Sequence, residues 1–141
     1  MSAAPAITRR LASAVYDSLI VFAIALVATL PFVLAFGDST HGWRRYALQA
    51  WIVVAIGAYF VTCWVRGGQT LPMKTWRIRV VRWDGARLGA WQAVHRYVLA
   101  WLSVAALGAG FLWALFDRDR QFLHDRLAGT AIVEARIEAK P

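Results

Sequence analysis

The chain has 141 residues, 60% of them drawn from AVILMFWYC and only 17% charged, with a net charge of +8 at pH 7. A soluble domain is usually about 45–50% apolar and about a quarter charged, so this composition excludes an ordinary soluble enzyme, a disordered chain and a disulfide-built secreted domain. Three charge-free stretches of 20 residues each, 18–37, 46–65 and 97–116, match the ~20 residues a helix needs to cross a bilayer.

The first predicted helix opens at Thr8-Arg9-Arg10 and runs to about Phe36, with its span over about 11–36. The arginine pair resembles the charged region of a signal peptide, even a twin-arginine one. The apolar run 19–36 is longer than a typical signal core and two further spans follow, so the segment is expected to stay as a span. Pro31, in its last third, removes one backbone hydrogen bond.

Residues 37–45 form a short polar loop broken by Gly37, Asp38 and Gly42. The second span covers 46–65, with Tyr46 and Trp51 toward one end and Tyr59 and Trp64 toward the other, as an aromatic belt requires. Gly67-Gly68 ends that helix; no Lys-Ser/Thr follows to make it a phosphate loop.

The stretch 66–92 carries six basic residues against one acidic, whereas 37–45 carries two against one. Positive charge favours the cytoplasmic side, which places 66–92 and the amino terminus in the cytoplasm and 37–45 outside. Trp76, Ile78 and Val80 alternate with Arg77 and Arg79, a strand pattern, and Asp84-Gly85 is a hairpin turn signal. A small strand–turn element on the headgroup layer is expected, with Arg77, Arg79 and Arg82 toward anionic lipid phosphates.

A helical lead-in from Leu88 precedes the third span, 97–116. Apolar residues at 115, 116, 122, 123 and 127 then give one greasy side to an interfacial amphipathic helix over about 117–128, ended by Gly129. Two readings of the third segment compete. A full span puts the tail outside, yet Ala131-Ile132-Val133 looks like a partner for the strand at 77–82, placed inside. A re-entrant segment broken at Gly108-Ala109-Gly110 would reconcile them, but its return arm, 111–116, is only about 9 Å long at 1.5 Å per residue, so the full span is preferred.

Asp17 is the ionisable residue set inside a span, where a carboxylate costs about 2.5–3.5 kcal/mol on insertion scales. Arg10 lies seven residues earlier, on the same helix face and about 10.5 Å away along the axis. Arg96, at the start of the third span, is an equally reachable partner. Asp17 could bind or relay a cation or proton, or simply lock the bundle through an arginine. His124-Asp125 resembles a catalytic fragment, but helix neighbours point about 100° apart. No nucleophile motif or metal-ligand spacing is present, and Cys63 is the only cysteine. Neither catalysis nor a cofactor is expected. The basic residues flank apolar spans, so lipid headgroups rather than nucleic acid are the expected partner.

Three blocks together resemble the RDD family of bacterial membrane proteins. They are Arg9-Arg10-Leu11-Ala12 with Asp17; Gly67-Gly68-Gln69-Thr70-Leu71 with Trp76 to Val81 and Asp84-Gly85; and Phe116-Asp117 through Arg120-Gln121 to His124-Asp125-Arg126-Leu127-Ala128-Gly129-Thr130. The loop departs from the family pattern in carrying Pro72-Met73-Lys74. The resemblance implies that Arg10, Asp17 and Asp125, with Asp117 as an alternative to the last, are the name-giving residues. It also implies transport of an unassigned ligand, with sodium/proton exchange in some members.

The expected fold is thus an all-α membrane protein: a three-span helical bundle with an interfacial amphipathic helix and a small β-like cytoplasmic loop. Three helices do not easily enclose a path, so a homo-oligomer is expected, with Ala47, Ala50, Gly57 and Ala58 as small-residue contact faces. Asp17, Arg10 and Asp125 are the candidate ligand, ion or proton residues, supported by Arg9, Arg96, Asp117 and His124. The alternative is a non-transporting partner that assembles other membrane proteins through its basic loop and interfacial helix.

Overall fold

The computed structural model of the protein describes residues 5–106, 109–118 and 121–135. In chain order the elements are α1 (Ile7–Phe36), α2 (Gly42–Gly67), α3 (Leu71–Thr75), β1 (Ile78–Arg82), α4 (Ala90–Ala105), α5 (Ala109–Phe116), α6 (Leu123–Leu127) and β2 (Thr130–Glu134).

α1 and α2 have 30 and 26 residues. At 1.5 Å per residue they are about 45 and 39 Å long, beyond the ~30 Å hydrocarbon core, and both are apolar enough to cross it. The burial pattern of α1 is inverted relative to a soluble helix. Its buried residues are Arg10, Ser13, Asp17 and Ala28, while Val27 and Leu34 are 74% and 77% exposed. Apolar groups outside and polar groups inside suit a helix solvated by lipid. α1 packs along α2, and the Trp51 indole donates to the Ala28 carbonyl between them.

α2 ends where the sequence places its glycines. Gly68 has φ +67°, and its carbonyl accepts from the Val80 amide at 2.7 Å. A Cβ there would lie 2.6 Å from the Val80 carbonyl oxygen. Only glycine allows both the left-handed turn and this approach. Thr70 then caps α3, its hydroxyl accepting from the Met73 amide, with Pro72 inside the first turn, where a missing N–H costs nothing.

The strand expected at 77–82 is β1, and it pairs antiparallel with β2, Val80 facing Ile132 and Arg82 facing Thr130. The turn at Asp84-Gly85 is present: the Asp84 carboxylate accepts from the Ala86 amide and Gly85 has φ +82°. It is not a hairpin turn between paired strands, because the partner strand comes from the end of the chain. Gln121 extends the sheet's edge by exchanging hydrogen bonds with the Ile132 backbone. The core lies here, where Trp64, Met73, Ile78, Val80, Leu88, Ala93, Phe122 and Ile132 pack together at the ends of α2 and α4.

Two expected elements are corrected. Residues 97–116 are not one helix: α4 ends at Ala105 and α5 resumes at Ala109, packing back against α4 and α6. The short return arm is matched by a short outgoing arm. From Arg96 to Ala105 is nine residues, about 13.5 Å, and the 8 residues of α5 span about 12 Å. The hairpin returns to the level of Arg96, so β2 reaches β1 on one side. Of the amphipathic helix expected over 117–128, the described residues hold only the five of α6, and residues 119 and 120 lie outside them. Asp117 accepts from the Gln121 amide and pairs with Arg126, and Gln121 is held on the sheet, so the chain bends here instead of continuing the helix. Gly57 is also not a free contact face: Tyr97 of the same chain packs on it.

Candidate functional site

One stripe of α1, Arg10, Ser13, Asp17 and Val21, follows the helical spacing of three and four residues and lines a cavity of about 360 Å³. Across it stand Ile56, Phe60 and Trp64 of α2, four residues apart, and Arg96, Tyr97, Ala100, Trp101 and Val104 of α4. Met73, Ile78, Phe122, His124 and Ile132 of the strand module form its floor. α1 and α4 each pack along α2 and make at most marginal contact with each other, so the cleft between them is lateral.

Two carboxylates and two guanidiniums are buried around this cavity: Arg10 is 1%, Asp17 8%, Arg96 3% and Asp125 0% exposed. Arg96 forms an ion pair with Asp125, and its guanidinium lies 4.3 Å from the centre of the Trp64 ring. Ion pair and aromatic face together compensate a charge that burial alone would penalise. Asp17 therefore does not take Arg96 as its hydrogen-bond partner. Its Oδ2 accepts from the Thr70 hydroxyl at 3.1 Å, tying α1 to the cap of α3. Its Oδ1 is buried and has no hydrogen-bond partner among the described residues.

His124 stacks on Phe122 and its Nε2 lies 3.6 Å from an Asp125 oxygen, closer than the divergence of helix neighbours implies, because α6 is a single irregular turn. Burial pushes the His124 imidazole down to about 4, outweighing the attraction of Asp125. It is neutral at physiological pH.

The remaining candidates lie apart. Arg9 pairs with Glu134 at 3.1 Å on the surface, which places the start of α1 beside the end of β2. Asp117 serves the 117–126 bend. Arg77 and Arg82 are exposed, Arg79 is half-buried, and Arg82 sits 3.5 Å from Asp84. Thus Arg10, Asp17, Arg96, His124 and, through Arg96, Asp125 converge, while Arg9 and Asp117 do not. Thr70 and Trp64 were missed by sequence reasoning. The Thr-x-Pro cap signature marks Thr70 as the start of a turn, but nothing in the sequence joins it to Asp17 across 53 residues.

The profile of the RDD family matches residues 4–129 of this chain. An uncharacterized protein of Rickettsia prowazekii (strain Madrid E) is 29% identical over 83 residues, which cover 59% of this chain and 46% of that protein. The chain thus spans less than half the length of that relative. No solved structure matches.

Proposed function

Because the chain belongs to the RDD family of bacterial membrane proteins, we propose that it is a transport-related protein of the inner membrane that takes its proton, cation or small ligand at Asp17. The observation that carries this reading is Asp17, an acid set inside α1 on the lining of a cavity of about 360 Å³ and only 8% exposed. Apolar walls with a few convergent polar groups are the usual make-up of a ligand site. In this reading Thr70 and the α1 backbone hold Asp17, and the Arg96–Asp125 pair fixes the opposite wall. Arg77, Arg79 and Arg82 meet anionic headgroups on the cytoplasmic side, where the amino terminus also lies. A homo-oligomer, through Ala50 and Ala58 on the outer face of α2, would complete a path too large for one chain. The test is flux of protons or sodium in proteoliposomes. Flux in the wild type that Asp17→Asn stops supports the reading, and flux unchanged by that substitution sinks it.

A further inference from the structure

A second, smaller pocket of about 60 Å³ lies where α2 ends against the sheet, lined by Gly67 and Gly68, by Arg79, Val80 and Val81 of β1, and by Arg87. The backbone brings these residues together. The Gly68 carbonyl accepts from the Val80 amide, which lays the end of α2 against β1. Ile78 and Val80 belong to the core, and strand alternation turns Arg79 to the opposite face. The turn over Asp84-Gly85 closes with the Arg82 amide donating to the Ala86 carbonyl at 3.0 Å. That turn reverses the chain and returns Arg87 to the glycines. Two like charges thus share one small pocket, and no described carboxylate pairs with either. Asp84, the only acid in 66–92, sits 3.5 Å from Arg82 instead. Buried Arg96 is met by Asp125 and exposed Arg9 by Glu134. Half-buried Arg79 and exposed Arg87 have no hydrogen bond or ion pair among the described residues. The C-terminal end of α2 carries only about half a negative charge, too little to balance two guanidiniums. The space is also open, since a Cβ added at Gly67 would meet nothing within 4 Å. A water needs about 10–15 Å³ of such space, so about 60 Å³ takes a group of four oxygens.

We infer that this pocket binds one phosphate group, held between the Arg79 and Arg87 guanidiniums over the Gly67-Gly68 backbone. Guanidinium forks match phosphate oxygens in pairs. α2 is long and apolar enough to cross a membrane, so a pocket at its end stands at headgroup depth, where the phosphate is that of an anionic lipid. This rests on the reading of the basic loop as a headgroup surface. It narrows that surface from Arg77, Arg79 and Arg82 to one site, with Arg87 added.

The test is calorimetric titration of the full chain, in an uncharged maltoside detergent at fixed ionic strength, with soluble dihexanoyl phosphatidylglycerol and separately with inorganic phosphate. Saturable binding of the lipid is expected, weakened at least about tenfold in Arg79→Gln/Arg87→Gln, the effect of losing hydrogen bonds to a charged group. Lys74→Gln/Arg77→Gln removes the same charge from exposed positions outside the pocket and is expected to leave binding within about twofold of wild type, as salt screens distant charges. In the wild type, saturating phosphatidylglycerol is expected to shield Arg79 and Arg87 from an arginine-selective dicarbonyl while Arg77 stays reactive. Saturable binding of neither probe, or shielding of none of the three, overturns the inference. Equal loss in the two glutamine variants, or equal shielding of all three arginines, also overturns it and leaves only diffuse headgroup contact by the basic loop. Inorganic phosphate bound as tightly as the lipid, and lost with Arg79 and Arg87, keeps the phosphate site and overturns the headgroup as its source.

Discussion

Replacing Asp125 with alanine would remove the anion from an ion pair whose side chains are 0% and 4% exposed. The Arg96 guanidinium would stay buried, held by the face of Trp64 at 4.3 Å and near a neutral His124 that contributes no charge. Breaking a buried pair from one side costs about 3–5 kcal/mol, because the remaining charge is uncompensated. The cation–π contact, worth about 2 kcal/mol when desolvated, survives the change and does not offset it. The opposite expectation holds for Arg9→Ala. That residue's pair with Glu134 is 45% and 48% exposed, and surface pairs contribute about 0–1 kcal/mol. The assay is reversible unfolding in mixed micelles, followed by far-UV circular dichroism. It compares Asp125→Ala, Arg9→Ala and the double variant Arg96→Met/Asp125→Leu. The double variant, which removes both charges and fills their space, is expected to be more stable than Asp125→Ala alone. An Asp125→Ala protein within about 1 kcal/mol of wild type, or a double variant as damaged as the sum of its parts, would refute this assignment of the pair.

Other outcomes follow from single residues. His124 titrates near 6.5 when unfolded and is pushed down to about 4 when folded. Its contribution is therefore complete above pH 6.5 and is lost as pH falls toward 4, roughly 3 kcal/mol in all; a pH series of unfolding midpoints should flatten over that window in His124→Gln. A Cβ on Gly57 would meet the Tyr97 ring at 2.8 Å, so Gly57→Ala should displace the ring and break the Tyr97 hydroxyl bond to the Val53 carbonyl. That should destabilise by about 1–3 kcal/mol in the same unfolding assay. Gly68→Ala should cost at least as much, since its Cβ meets the Val80 backbone oxygen rather than a movable side chain, and a sheet signal lost by circular dichroism would register it. A reporter active on one side of the membrane, fused after residue 141, should read out on the same side as one inserted at Gly85; opposite sides would break the β1–β2 pairing.

Much of the architecture was legible because its causes are local. Twenty-residue apolar runs, Gly67-Gly68, and the alternation around Ile78 each act within a few residues, and α1, the end of α2 and β1 lie where they imply. What failed depended on contacts across the chain. The sequence of 97–116 is apolar enough to span, and only contacts across the chain divide it into α4 and α5, which pack together. The apolar spacing at 115–127 does suggest one helix, but Asp117 and Gln121 take tertiary partners that bend the chain. The site divides in the same way. Arg10 and Asp17 share a face by helical periodicity alone, whereas the choice of Arg96 by Asp125 and of Thr70 by Asp17 is made by packing over 29 and 53 residues.

The central claim is that Asp17 is presented to a cleft reached from the bilayer. It is tested most directly by treating membranes with a lipid-soluble carbodiimide and, separately, with a water-soluble one, then mapping adducts by peptide mass. Modification of Asp17 by the lipid-soluble reagent alone is the predicted result. Modification of Asp17 by the water-soluble reagent, or by neither, would contradict it.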